Sequence, residues 1–390
     1  MGTVKNQHYI QEKVLREFAD NNQTYEVFLP ENKIYKTNIS NSMSSKYTYE
    51  SSRSETNFLE KQFGKMESEY TKKLLELLRS IETLEKDQNI LASVLTQIYR
   101  LLPSFLIYYY RSGAVLYEIG NHGGNINEDD KIDKVMANIF DSNYINNLSK
   151  TIQYNYEVSI IKSSNQGFII SDQFLSTASL NFKSRFINGT NRMIGFRDVI
   201  VLIPLSSTYY LVFLNGKPPK YIQSGKICNL LEDEISQVNN VIINNSYVKA
   251  VCLKEINLVK SLKNFTHTRP SMTFAKFDSG NHSMTALKKE VFFYERDKSK
   301  HDFLQFKIHH DFSKLQFRDE CLCGSGKFFG NCCRYHYRTV MKSLKKDPEI
   351  YNVKYQYAVE RNITDYYGHK QTIESMNAYE HIMKVVTKKL

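Results

Sequence analysis

Four of the chain's six cysteines fall within thirteen positions, in Cys-Leu-Cys-Gly-Ser-Gly-Lys-Phe-Phe-Gly-Asn-Cys-Cys at residues 321–333. Thiolates are soft ligands, and four converging from a short piece of chain suit a tetrahedral zinc ion. Cys321 and Cys323 can place both sulfurs on one side of a tight turn. Gly324, Ser325 and Gly326 then permit a reversal, because glycine accepts the positive φ such a turn demands. Lys327 to Asn331 return the chain to Cys332 and Cys333. The competing chemistry is a disulfide, and a bridge between adjacent cysteines is strained. Four thiolates would close the site and leave zinc no open position, so its expected role is structural.

A second set of chemistry-bearing residues is spread through residues 5–255. It comprises His8, Glu60, Glu67, Arg100 and Asp172. Glu60 and Glu67 lie one heptad apart, hence on one helical face. Gln97 and Arg100 occupy adjacent turns of the most apolar segment, and Ser171-Asp172 ends an apolar strand. A His, several carboxylates and an Arg meeting in one pocket could hold a second divalent metal and stabilise a phosphoryl transition state. Glu60, Glu67 and Asp172 would be metal ligands or bases, His8 a proton donor or ligand, and Arg100 the charge stabiliser. The structural alternative makes Arg100 a buried ion-pair partner of Glu60 or Glu67, Asp172 a turn or cap residue, and His8 a core histidine.

Two resemblances follow from these residues. The pattern Cys-x-Cys, Gly-Ser-Gly, an aromatic pair and Cys-Cys resembles the SEC-C motif, the zinc-binding tail of the SecA translocation ATPase, over about residues 319–336. It implies Cys321, Cys323, Cys332 and Cys333 as ligands, with His336 in reserve for the fourth position. It also implies a docking element rather than a catalyst. In the first 255 residues, the order of motifs is similar to a bacterial family known only as a domain of unknown function. The carrying residues are His8-Tyr9, Leu15-Arg16 with Phe18, Glu60 and Glu67, Gln97 and Arg100, Ser171-Asp172, Pro204-Leu205-Ser206 and Asn239-Asn240. Many members have Pro-Gln where this chain has Gln11-Glu12. The family implies no activity.

Charge adds a partner class. The 390 residues carry a formal net charge of +11, which favours nucleic acid, ribosomes or another anionic surface. Arg334, Arg338, Lys342, Lys345 and Lys346 recur at helical spacing directly after the cysteines, forming a basic stripe for nucleic acid or a protein partner. No Gly-rich phosphate loop supports nucleotide use. Leu91 to Tyr110 is long enough to span a bilayer, but it contains Gln97, Arg100 and Pro103. A buried helix bent or ended near Pro103 is expected, with no membrane insertion. Clustered metal-type cysteines and a polar N-terminus point to a cytoplasmic setting.

Periodicity then supplies the elements. An opening helix is expected over 7–19, and a hairpin over 24–29 and 33–38 around Pro-Glu-Asn. A long amphipathic helix follows from 55 to 84, with further helices over 88–102, extending toward Tyr110, and 129–151. Residues 156–162 and 167–171 read as one hairpin, 199–205 and 209–214 as another, then a helix over 226–247. Helices are expected again over 334–346 and 370–389. The fold class is α+β: an N-terminal helical domain with a small antiparallel sheet, then a zinc knuckle flanked by helices. The divisions are 1–264 for the main domain, 265–318 for a linker or insertion, 319–347 for the knuckle and basic helix, and 348–390 for C-terminal helices. These features suit a metal-dependent nuclease or nucleic-acid-processing enzyme of the phage-defence or toxin kind, docked through its tail. The alternative is a non-enzymatic adaptor for ribosome, RNA or protein.

Overall fold

The computed structural model describes residues 6–46, 49–84, 89–113, 127–181, 194, 198–265, 271–277, 283–288, 291–298, 312–322, 325–345, 353–357, 361–364 and 370–373. The chain divides into two compact units. The first comprises residues 1–178, 194–268 and 364–370, and the second residues 179–193, 269–363 and 371–390.

The first unit opens with strand β1 (Asn6–His8), the one-turn helix α1 (Glu12–Leu15) and a 3-10 turn over Arg16–Phe18. The single helix expected over 7–19 is therefore broken, and His8 lies on a strand. The reason is tertiary pairing: β1 runs antiparallel to β4 (Ser44–Lys46), and Tyr9 N continues the ladder by donating to Met43 O at 3.2 Å. The hairpin of β2 (Gln23–Phe28) and β3 (Lys33–Asn38) forms as expected. Its turn ends at Asn32, whose φ of 51° is the left-handed conformation asparagine tolerates.

Helix α2 (Phe58–Leu84) buries Leu59, Phe63, Tyr70, Leu74, Leu77 and Ile81 along one seam. It packs against α3 (Ala92–Tyr110), which continues through Pro103 instead of ending there. Burial of Leu101, Leu102, Phe105 and Leu106 around the proline offsets a cost of about 3 kcal/mol. The helix expected over 129–151 is two, α4 (Glu128–Phe140) and α5 (Ser142–Asn155). Asp141 separates them, its side chain accepting from Asn143 N and Tyr144 N at 3.0 and 3.1 Å as an N-cap.

Strands β5 (Glu157–Ser163), β6 (Ile169–Ser171), β7 (Ser176–Ser179), β8 (Val199–Pro204), β9 (Tyr209–Asn215) and β10 (Ile227–Leu230) follow. Helix α6 (Glu232–Asn245), strand β11 (Lys249–Cys252) and helix α7 (Glu255–Lys263) complete the unit. One sheet has the order β10-β5-β9-β8-β7 and the other β3-β2-β11-β6. Pairing of β8 with β9 agrees with expectation; all six β8 residues are buried, as in a strand covered on both faces. The expected pairing of β5 with β6 does not occur. β5 takes β9 and β10 as neighbours, the latter parallel, while β6 pairs with β11 in the other sheet. The helix expected over 226–247 begins only at Glu232, because Ile227–Leu230 is that parallel edge strand.

Polar side chains tie these layers together. Asn239 donates to Gly167 O and accepts from Ile169 N, and Asn245 does the same to Thr177, so α6 extends strand hydrogen bonding. Buried Glu26 accepts from Ser42 Oγ at 2.5 Å and pairs with Lys249 at 2.6 Å. Asp172 receives three backbone N–H groups, from Tyr247, Val248 and Lys249, at 3.0, 2.7 and 3.0 Å.

In the second unit, β12 (Ser271–Phe277), β13 (Ser283–Lys288) and β14 (Val353–Tyr357) form an antiparallel sheet centred on β12. The segment 265–318 thus contains a hairpin. Helix α8 (Arg334–Lys345) agrees with expectation. Residues Lys370–Ile373 are a strand, β16, paired with β15 (Arg361–Thr364), so the helix expected over 370–389 is not formed there; its remainder lies outside the described residues. The class is α+β. Among the described residues no helix is long and apolar enough to cross a membrane.

Asp172→Ala is expected to lower stability by about 3 kcal/mol, because three buried donors lose a charged acceptor. Thermal denaturation should show a fall of about 8 °C; an unchanged Tm would contradict the role assigned to this carboxylate.

Candidate functional site

The cysteine knuckle is built by a short antiparallel contact. Cys321 N donates to Lys327 O at 2.9 Å, and Glu320 pairs with Phe328. Gly326 supplies the reversal with φ of +68°. Gly330 N donates to Phe317 O at 2.8 Å, and a Cβ there would lie 2.4 Å from the Phe317 ring, so only glycine allows the approach. Phe312, Phe329 and Tyr337 pack beside Cys321 and Cys333 as a small core.

These constraints bring the ligand atoms of Cys321, Cys332 and Cys333 within 4.8 Å of one another. The three could hold a metal ion. Adjacent Cys332 and Cys333 keep their sulfurs 3.8 Å apart as free thiols. The donor set fits a soft cation. Cys323, the expected fourth ligand, lies outside the described residues. His336 is not in the group. Arg334 stacks on Phe317 at 5.2 Å, while Arg338 and Lys342 are exposed on α8. Lys345 ends the helix, and Lys346 lies outside the described residues.

The first unit gathers a different group. Arg111, 2% exposed, donates to Glu67 Oε1 at 2.7 Å and to the His8 carbonyl at 2.5 Å. Its guanidinium lies 4.3 Å from the Phe63 ring centre and 5.3 Å from that of Tyr108. Tyr49 OH donates to the Arg111 carbonyl. Burial pushes the Glu60 carboxyl above its ordinary value; Arg111 opposes this, and Glu67 and Glu50 reinforce it. Burial likewise holds His8 below its ordinary value, against the pull of Glu12 and Glu67. His8 Nε2 lies 3.5 Å from Glu12.

Of the five residues expected to act together, His8, Glu60 and Glu67 share this neighbourhood. Arg100 is exposed on α3, and Asp172 is committed to the three backbone donors described above. The arginine that fills the buried position is Arg111. Among the described residues, only the cysteine triad groups three or more His, Cys, Asp or Glu ligands closely enough for a metal. Tyr70 and Tyr108, not expected from the sequence to lie at this site, join the neighbourhood with Gln11, which marked a departure from the family pattern: Thr71 Oγ1 donates to Gln11 Oε1 at 3.4 Å, and the Tyr70 and Tyr108 rings lie 4.6 Å apart.

Arg111→Lys is expected to cost about 3 kcal/mol, since an ammonium cannot bridge both acceptors while covering the aromatic faces; chemical denaturation measures it. Glu60 has a linked pH signature. Its folded-state value is raised, so its contribution is complete below the ordinary 4.5 and is lost as pH rises through the folded value. Glu60→Gln should therefore flatten the loss of stability that sets in as pH rises above the ordinary 4.5. A parallel pH profile for the two proteins would contradict this.

No curated protein and no solved structure matches the chain. A family model described as a protein of unknown function, DUF4238, matches residues 6–255, from β1 to the start of α7. The match takes in the Arg111 neighbourhood and the five- and four-stranded sheets and stops short of the cysteine knuckle; on that span, the chain belongs to the DUF4238 family.

Proposed function

We propose that this is a nucleic-acid-binding protein that holds single-stranded RNA or DNA on a zinc-stabilised knuckle. The observation that carries this reading is the surface around the cysteine triad. Phe328 and Tyr335 are 56% and 73% exposed there, and Arg318, Lys327, Arg338 and Lys342 are exposed on the same stretch of chain. Aromatic faces stack on bases of any sequence, and interleaved cations follow the phosphates. The net charge of +11 supports the same partner class.

Cys321, Cys332 and Cys333, with Cys323, would hold the zinc. Bound there, the ion would supply cross-linking rather than Lewis-acid chemistry, since four thiolates saturate it. Likeness to SEC-C tails supports docking, and a ribosomal RNA surface would present the same backbone chemistry. A metal-dependent nuclease in the first unit has less support, because Arg100 is exposed and the Asp172 carboxylate is taken up by three backbone N–H groups. A cytoplasmic setting accords with free cysteines in the knuckle.

Purified protein is expected to contain one equivalent of zinc by elemental analysis, and Cys321→Ser or Cys332→Ser to lose it. Fluorescence anisotropy with a labelled single strand should show affinity falling with salt. Replacing Arg338 and Lys342 by Glu should reduce the log–log slope by about 0.7 per phosphate contact removed. Tyr335→Ala should weaken binding about tenfold. Salt-independent binding, or none, would sink the proposal.

A further inference from the structure

The three clustered cysteines are not equivalent. Cys321 and Cys333 are 2% and 8% exposed and lie in the small core with Phe312 and Phe329, while Cys332 is only half-buried. The Cys332 sulfur lies 3.2 Å from the Ser325 hydroxyl, a contact made at the surface, and Asn331 next to it is exposed as well. Its contact with the Cys333 sulfur, at 3.8 Å, is part-buried. A small reagent from solvent therefore meets Cys332 before either companion. Thiol oxidation is selected by exposure and by a second cysteine within reach, and Cys332 has both.

We infer that Cys332 is an oxidation site: hydrogen peroxide converts it to a sulfenic acid, Cys321 closes that to a disulfide, and the knuckle gives up its metal. The chemistry balances over two displacements. The Cys332 thiolate attacks the peroxide, so that an S–O bond forms, the O–O bond breaks and hydroxide leaves. The Cys321 thiolate then attacks the Cys332 sulfur, so that the S–S bond forms, the S–O bond breaks and a second hydroxide leaves. Two thiolates have given two electrons to the peroxide, and both hydroxides take protons from solvent to become water. A disulfide sulfur carries no negative charge, so two of the metal's donors are lost together.

Geometry selects Cys321 as the second thiol among the described residues. Its sulfur lies within 4.8 Å of that of Cys332. Cys333 offers a sulfur at 3.8 Å, but a bridge between adjacent residues is strained. A bridge from Cys321 to Cys332 instead joins the two ends of the reversal. The cysteines of the first unit give the contrast. Burial pushes the Cys252 thiol up to about 12 and also raises that of Cys228, so both stay protonated and inert. The inference rests on the zinc reading for the metal that is released, while the cysteine chemistry is measured separately from metal and from strand binding.

The test treats the full chain with hydrogen peroxide, follows zinc release with a chromogenic chelator and maps every cysteine by peptide mass spectrometry, with dimedone as the sulfenic-acid trap. With the trap present, Cys332 should carry the label. Without it, the Cys321–Cys332 bridge should appear as zinc is lost in step with the peroxide consumed, and dithiothreitol should restore both thiols. Cys228 and Cys252 should stay reduced throughout. First labelling of Cys321 or Cys333 would overturn the assignment, as would a bridge from Cys332 to Cys333 or to Cys323. Oxidation of Cys228 or Cys252 at the same rate would overturn it too, by showing that exposure selects nothing. Zinc retained in excess peroxide, with no bridge formed, would do the same. Zinc missing from the protein before treatment would refute the metal reading alone, and the labelling and bridge patterns would still decide the oxidation site.

Discussion

The guanidinium of Arg111 is the constraint on which the first unit's polar interior depends. It joins the backbone of β1 at His8, the side chain of Glu67 on α2 and the end of its own helix α3. Segments far apart in sequence are thereby fixed to one charge with about 2% of its surface exposed. Burying a cation is expensive, and pairing seldom returns more than it costs, so the gain lies in placement. The planar fork addresses two acceptors at once while its faces cover Phe63 and Tyr108, a geometry no other side chain supplies. Glu60 sits one and two turns before Phe63 and Glu67 on the same helical face, so its surroundings follow from that anchor.

Two kinds of buried polarity occur in the first unit. Asp172, Asn239 and Asn245 use their oxygen and nitrogen atoms on backbone groups, joining α6 and the sheets as extra peptide groups would, while Glu26 is taken up by the side chains of Ser42 and Lys249. Around Arg111 the accounting is incomplete, since His8 Nδ1, Glu60 Oε2 and Arg111 Nε find no hydrogen-bond partner. A satisfied network rigidifies, while unsatisfied groups cost stability. Both kinds lie among the residues through which the sequence resembles its family. A family signature therefore mixes residues whose polar atoms are fully paired with residues whose polar atoms are not, and the difference shows only in their partners.

Much of the fold follows from local pattern. The β2–β3 hairpin, the β8–β9 pair, the seam of α2 and the basic helix α8 all carry their periodicity and turn residues within a few positions. Non-local pairing does not. β5 and β6 are adjacent in sequence with a turn between them, yet they enter different sheets because β9, β10 and β11 compete for their edges. Arg111 was legible but easily missed. The buried stripe Val94, Ile98, Leu101, Phe105, Tyr108 advances by threes and fours, and its next step is Arg111, whereas Arg100 falls beside it. A charged residue on the continuation of an apolar stripe is the signal, and it outranks one merely surrounded by apolar neighbours.

The knuckle shows the same logic at smaller scale. Its interior consists of Phe312, Phe329 and Tyr337 against Cys321 and Cys333, too little apolar surface to order a segment of this length without a cross-link. The thiols that would grip a metal are therefore also the core. Gly330 permits the close approach of Phe317, and Arg334 then covers that ring from the first turn of α8. The exposed aromatics and cations of the surface are held by the same few contacts that bring the cysteines together. Loss of a cysteine would consequently disturb the exposed aromatics and cations as well as the cysteine cluster, because the same few contacts hold both.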